Sequence, residues 1–188
     1  MKKSSAIKTT NLFITITTCL SLFFAVQTTE TMAQKTAGNR GFIVKPGDTA
    51  PQFVMHLDTG DTINISDLKG KIVVLQFTAS WCSVCRKEMP HLEKEVWQVF
   101  KDKDFLLIGI DRDEPLNVVK NFKKQMGVTY PFSLDPGANI FGLFADKKSG
   151  VTRNVVIDKK GKIVFLTRLY DKKEFNAMVD KIKELLAD

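Results

Sequence analysis

The alternation and clustering of apolar positions along this chain predict most of its elements. Phe53-Val-Met-His-Leu57 reads as a strand, Asp58-Thr-Gly-Asp61 as a turn and Ile63–Ile65 as a short return strand. Ser66-Asp-Leu68 predicts one helical turn. Within Lys71–Thr78, Ile72-Val-Val-Leu75 is apolar without alternation, the pattern of a central strand covered on both faces. Leu92, Val96, Val99 and Phe100 fall at i, i+4, i+7 and i+8, so they predict one apolar face on a helix from about Cys82 to Phe100. Pro90 lies inside that helix and should bend it, because it has no N–H to donate. Phe105-Leu-Leu-Ile-Gly-Ile110 reads as a second buried strand. Two such strands joined by a helix make a βαβ unit with a right-handed crossover.

The second half continues in the same manner. Pro115–Met126 predicts a helix with proline at its start and Gly127 after its end, and Leu116, Val119, Phe122 and Met126 form its inner stripe. Phe132–Leu134 is a short strand, and Pro136–Ala145 a short helix carrying Ile140, Phe141 and Phe144. Asn154–Ile157 and Lys162–Leu166 flank Asp158-Lys-Lys-Gly161, a hairpin with Gly161 where positive φ is wanted. A last helix, about Lys172–Leu186, turns Phe175, Met178, Val179, Ile182, Leu185 and Leu186 inward. The order predicts an α/β sandwich built on a mixed central sheet flanked by helices.

Residues 1–33 read as a targeting segment. Lys2, Lys3 and Lys8 precede an apolar run, Leu12–Val26, and Thr31-Met-Ala33 offers small residues for cleavage after Ala33. The alternative is an uncleaved anchor, although the run of 15 residues is shorter than the ~20 that span a bilayer. Acylation at Cys19 is a weaker reading, because the most apolar stretch follows it. Residues 34–45 read as a polar linker and 46–188 as the folded domain. Loss of residues 1–33 takes away three lysines and Glu30 and leaves the net charge of +7 at +5. That charge is spread along the chain with no aromatic-rich basic stripe, which speaks against nucleic-acid binding.

Removal of the segment would also remove Cys19, leaving Cys82 and Cys85. A bridge across two intervening residues closes too short a loop to stabilise the fold much. A zinc site would need two further ligands, and only His56 and His91 are on hand, without finger-like spacing. No metal or other cofactor is expected. The pair lies where the first buried strand turns into its helix, the end of such sheets where ligands bind. Unpaired N–H groups at a helix N-terminus favour a thiolate, so Cys82 is the expected nucleophile and Cys85, one turn on, the resolving thiol. Trp81 should press beside Cys82. Arg86 and Lys87 would add positive potential, and Glu88 would relay protons if buried. Arg153 and Arg168 read as surface or cap residues.

Trp81-Cys-Ser-Val-Cys-Arg-Lys-Glu-Met-Pro90 resembles the WCxxCRxExP segment of the TlpA/ResA-like thioredoxin-fold proteins. Pro46-Gly-Asp-Thr-Ala-Pro-Gln-Phe53 is similar to the GDxAPxF opening shared by that family and the peroxiredoxins, and Gly150–Gly161 to its late strand and turn. The resemblance implies a thioredoxin-like three-layer sandwich and a secreted, periplasmic or membrane-anchored thiol–disulfide oxidoreductase, usually a reductant, as in cytochrome c maturation. It implies catalytic roles for Cys82, Cys85 and Glu88 and substrate-facing roles for Trp81, Pro90 and Thr152. Its partners would be protein disulfides or thiols and an upstream thiol donor, with contact to a membrane only if the N-terminal segment stays, and the chain itself a monomer. Two positions depart from the pattern. Thr152 stands where the family carries a cis-proline facing the cysteines, and a trans bond is expected before it. Gln76 stands where thioredoxin has a buried aspartate. A peroxide-reducing enzyme is the alternative, against which Ala79 occupies the place of the threonine that peroxiredoxins need and Thr152 that of their arginine. A redox-sensing binding module without turnover is the other.

Overall fold

The centre of the molecule follows from one strand. In the computed structural model, which describes residues 40–187, β3 (Ile72–Thr78) is buried along all seven residues. Its neighbours are β4 (Phe105–Arg112), parallel to it, and β6 (Arg153–Ile157), antiparallel. The full sheet also takes in β1 (Val54–Leu57), β2 (Thr62–Asn64), β5 (Phe132–Asp135) and β7 (Ile163–Arg168), in the order β2-β1-β5-β4-β3-β6-β7. The mixed sheet and its helical layers match the α/β sandwich predicted from the sequence.

Alternation along β3 divides the interior into two cores. Val73, Leu75 and Phe77 face a cluster with Ile110, Phe141, Phe144 and Val155. Val74 faces the other cluster, with Leu107, Phe122 and Phe132 from neighbouring elements. Helix α1 (Ser83–His91) covers that second face through Met89, joined by α3 (Leu116–Met126) and α5 (Lys172–Ala187) through Phe122, Met178 and Ile182. The first face is closed by a 3₁₀ turn (Pro136–Ala138) and the short helix α4 (Phe141–Phe144). Gly109 at the middle of β4 leaves room for its neighbour, since a Cβ there would lie 2.9 Å from the Phe132 ring and force it to shift. Gly161 takes φ +80° in the hairpin turn, as its position predicts.

Several expectations are corrected. The helix after the cysteines does not stay α-helical past Pro90. It passes through a π-helical stretch, Leu92–Trp97, before a final turn, α2 (Gln98–Phe100). Bonds that reach five residues back wind the chain more slowly than the α-helix, so the predicted stripe drifts: Leu92, Val96 and Phe100 are buried but Val99 is exposed. Leu116, expected in the inner stripe of α3, is exposed as well, in the first turn after the Pro115 cap. Residues 40–45, expected to be linker, pack on the domain. Phe42 is buried and bridges to Ala145, and Arg40 pairs with Glu174 at 2.8 Å. Polar composition misled there because one aromatic ring suffices to anchor a short polar segment. The targeting segment and residues 34–39 of the linker lie outside the described residues.

Candidate active site

Cys82 and Cys85 form a disulfide at the C-terminal end of β3. Cys82 is the N-cap of α1: its backbone is extended, and its Sγ accepts the N–H of Cys85 at 3.2 Å. A sulfur thus holds the place usually taken by a serine or aspartate oxygen, and the helix start gives it a fixed donor. Cys85 is completely buried and Cys82 nearly so. The loop before them is pinned from two sides. Ser80 donates from its N–H and its hydroxyl to Glu114, each at 2.6 Å, and its carbonyl accepts Arg86 Nε at 2.8 Å.

Thr152, the residue before β6, meets both sulfurs. Its Oγ1 is 3.1 Å from Cys82 Sγ and 3.3 Å from Cys85 Sγ. A disulfide sulfur carries no hydrogen, so the hydroxyl is the donor in this state, serving one sulfur at a time. No cis peptide bond occurs among the described residues, as expected at this threonine. Where a proline would present only carbon, this chain places a hydrogen-bond donor.

Below Cys85, Glu88 is buried at the start of a polar chain. Asn154 Nδ2 donates to Glu88 Oε1 at 2.7 Å and reaches Thr167 Oγ1 at 2.8 Å. The Gln76 carboxamide faces the same carboxyl without closing a bond of ordinary geometry, and its Oε1 accepts the Tyr130 hydroxyl at 2.7 Å. Burial pushes Glu88 up from 4.5 to about 7, against the opposing pull of the Asn154 and Gln76 amides. A second buried carboxyl, Asp111, is paired in register with Thr78 at the same end of the sheet. Burial first, then Glu114 and Asp135, push it up to about 8.

The residues singled out in the sequence are thus only partly assembled. Cys82, Cys85, Glu88 and Thr152 come together. Trp81 does not pack into the interior; 64% exposed, it offers its face to solvent beside the disulfide. Pro90 is exposed two helical turns beyond Cys82 and takes no part in the contacts of the sulfurs. The helix that carries it runs away from the disulfide, which is why a motif neighbour is not a spatial one. Arg86 turns back to Ser80 and over the Phe122 ring, 4.9 Å from its centre, and so away from the thiols. Arg153 contradicts its surface reading most sharply: it is fully buried, between the rings of Phe42 and Phe141 at 4.8 and 5.4 Å. Gln76, singled out in place of thioredoxin's buried aspartate, is buried here, whereas Asn154, Tyr130 and Glu114 were missed. The usable signal was polarity inside buried strands, since a buried amide must find a partner.

A cysteine-capped helix start after the central strand of a mixed sheet, with a buried carboxyl one turn below the cysteine pair, defines a thioredoxin-fold protein with a CxxC disulfide at its sheet end. The chain belongs to the Redoxin family, whose model matches residues 45–186. Among known proteins it is similar to "Thiol-disulfide oxidoreductase ResA" of Bacillus cereus, 39% identical over 118 residues. That match spans 63% of this chain and 66% of the relative, just under two thirds of its length. Among solved structures, one determined for Bacteroides thetaiotaomicron as that of a candidate protein disulfide isomerase is 56% identical, with a TM-score of 0.77 over 79% of this chain and 94% of the other. A thiol:disulfide interchange protein of Chlorobium tepidum TLS is 27% identical, with a TM-score of 0.62 over 76% of this chain and 98% of its own.

Proposed function

We propose that this chain is a thiol–disulfide oxidoreductase that reduces protein disulfides outside the cytoplasm, exported by residues 1–33. The observation that carries the reading is the double support of Cys82 Sγ, by the Cys85 N–H at 3.2 Å and the Thr152 hydroxyl at 3.1 Å. Both donors stabilise the thiolate over the thiol, which lowers the pKa of the nucleophile.

In the reduced protein the Cys82 thiolate attacks one sulfur of a substrate disulfide. A bond forms between Cys82 and that sulfur, and the other substrate sulfur leaves as a thiolate. Cys85 then attacks Cys82 Sγ, releases the second substrate thiol and leaves the pair oxidised. Two electrons pass from the pair to the substrate. An upstream thiol donor returns them. Cys85 is buried, so it must lose its proton to a neighbour rather than to bulk water. Glu88, held near neutrality and one turn away, is the group that can take that proton and return it. Peroxide reduction has no support at the sulfur: the polar groups that meet Cys82 Sγ are an amide and a threonine, with no arginine among them.

The test is turnover of a protein disulfide with the pair's potential measured against dithiothreitol. Cys82→Ser is expected to abolish turnover, and Cys85→Ser to accumulate mixed disulfides. A potential near about −270 mV marks a reductant. Full activity in Cys82→Ser would end the reading, and a potential near about −120 mV would reverse its direction. Cell fractionation tests export separately.

A further inference from the structure

Sheet register gathers arginines beside the disulfide. Ile110, Phe77, Arg153 and Arg168 lie abreast across β4, β3, β6 and β7, and Arg112 follows Ile110 by two positions on the same face. Arg40 joins them from the N-terminal segment. The side chains converge on the loop that delivers Thr152 to the sulfurs. Arg112 donates to the carbonyls of Ser149 and Lys147 at 3.1 and 2.5 Å, Arg153 to Ser149 Oγ at 2.6 Å, and Arg168 to the Thr152 carbonyl at 3.2 Å. The backbone has been cleared for them: a Cβ on Gly41 would lie 2.6 Å from Arg153 Nη2, and one on Gly150 2.5 Å from Arg168 Nη2.

These bonds go to neutral oxygens, so they hold the loop without cancelling charge. Among the described residues, the only one of the four arginines paired with a carboxylate is Arg40, on Glu174. Glu174 also approaches the Arg168 N–H, and the other nearby acids are Asp146 and Asp135, the register partner of Arg112. Against those three stand four arginines, of which Arg153 is fully buried, and the exposed Lys147 and Lys148 of the same loop. Burial first, then the neighbouring Arg168, Arg112 and Arg40, bring Arg153 down to about 10. Arg112 and Arg168 keep part of their surface in solvent. The exposed Trp81 stands at the same end of the sheet, and so does Leu169, whose N–H donates to the Thr152 carbonyl at 3.2 Å. A maintained excess of positive charge costs stability, and the clamped oxygens, being neutral, leave that charge uncancelled.

We propose that this arginine-lined rim is a docking surface for a protein segment that carries acidic residues next to its own disulfide. The inference rests on the exchange reading above. The charge complementarity selects the occupant: acidic residues on the segment meet the rim while its disulfide reaches Cys82, and Trp81 and Leu169 give apolar contact at the edge. Bonds and electrons are those of the exchange already described, with the segment leaving as a dithiol.

The experiment compares three synthetic peptides with one intramolecular disulfide each, identical apart from acidic, neutral or basic flanking residues. Their kcat/KM values are measured on the full chain with dithiothreitol as donor, beside the small neutral bis(2-hydroxyethyl) disulfide. At low salt the acidic peptide is expected to exceed the neutral one by about tenfold, and the advantage to shrink to about twofold near ~0.5 M salt. Arg168→Gln should cut the acidic-to-neutral ratio about threefold while Arg168→Lys keeps most of it, which a purely structural clamp would not do. Lys148→Glu, a surface reversal that leaves every clamp in place, should lower the ratio too. A ratio near one at low salt, a ratio indifferent to Lys148→Glu and Arg168→Gln, or oxidised glutathione favoured as strongly as the acidic peptide would overturn the proposal. Failure of the wild-type chain on all three peptides and on the small disulfide would instead overturn the exchange reading, and this inference with it.

Discussion

Replacing Glu88 by glutamine isolates the cost of a carboxyl confined beneath the disulfide. Glu88 is 1% exposed and has one firm partner, Asn154, while its Oε2 has none. Its carboxyl is raised from 4.5 to about 7, mainly by burial. At about 1.36 kcal/mol per pH unit that corresponds to about 3 kcal/mol. The sign follows from proton counts. Between about pH 4.5 and 7 the folded chain keeps a proton that the unfolded chain has released, so stability falls as pH rises through that window and levels off above it. Glu88→Gln removes the titration and keeps an oxygen acceptor for Asn154. The oxidised variant should therefore match the wild type to within about 1 kcal/mol at pH ~4 and gain on it by up to about 3 kcal/mol at pH ~8. Any cost of the added amide hydrogens is the same at every pH. Asp111 also titrates near the top of the range, but in both proteins, so it cancels in the difference. The assay is urea unfolding followed by tryptophan fluorescence at half-unit steps across that range. A wild-type-minus-variant difference that stays flat across the window would refute the burial argument.

Other outcomes follow from single contacts. Thr152→Val removes the hydroxyl 3.1 Å from Cys82 Sγ. A lost bond to a charged group is worth ~1.5–3 kcal/mol, so the Cys82 thiol should rise by about one to two pH units and its alkylation near neutral pH slow about tenfold; an unchanged rate would remove the threonine from the chemistry. Tyr130→Phe strands the Gln76 carbonyl and should cost about 1–3 kcal/mol in chemical denaturation, with a loss under about 0.5 kcal/mol counting against the network. Gly109→Ala forces a methyl to 2.9 Å from the Phe132 ring and should lower stability by about 1–3 kcal/mol, against which a neutral result would show that β5 can yield.

Legibility in the sequence differed by element for physical reasons. The unbroken run at 72–75 announced a strand buried on both faces, and Gly161 announced its turn, because each signal is local. Val99 did not, because the winding of its helix changes after Pro90, and the amphipathic count assumes one constant period. Of the site, Cys82 and Cys85 were legible from spacing and Glu88 from its place one turn on. Thr152 was legible only through family resemblance. Arg153 was misread because arginine is almost never fully buried, and the aromatic slot that receives it is built from residues more than ten and a hundred positions away, Phe141 and Phe42.

The chain's own order of residues therefore determined the elements, the two-core alternation of its strands and the sulfur pair at a helix start, since periodicity and short spacing act within a few residues. Tertiary structure alone decided which strands lie side by side. That register sets Gln76 against Asn154 beneath Glu88, and Phe77 against Arg153 and Arg168 beside the sulfurs. Strand pairing joins residues far apart in the chain through backbone bonds that are nearly blind to side-chain identity. The environment of the two sulfurs is consequently a property of the folded sheet.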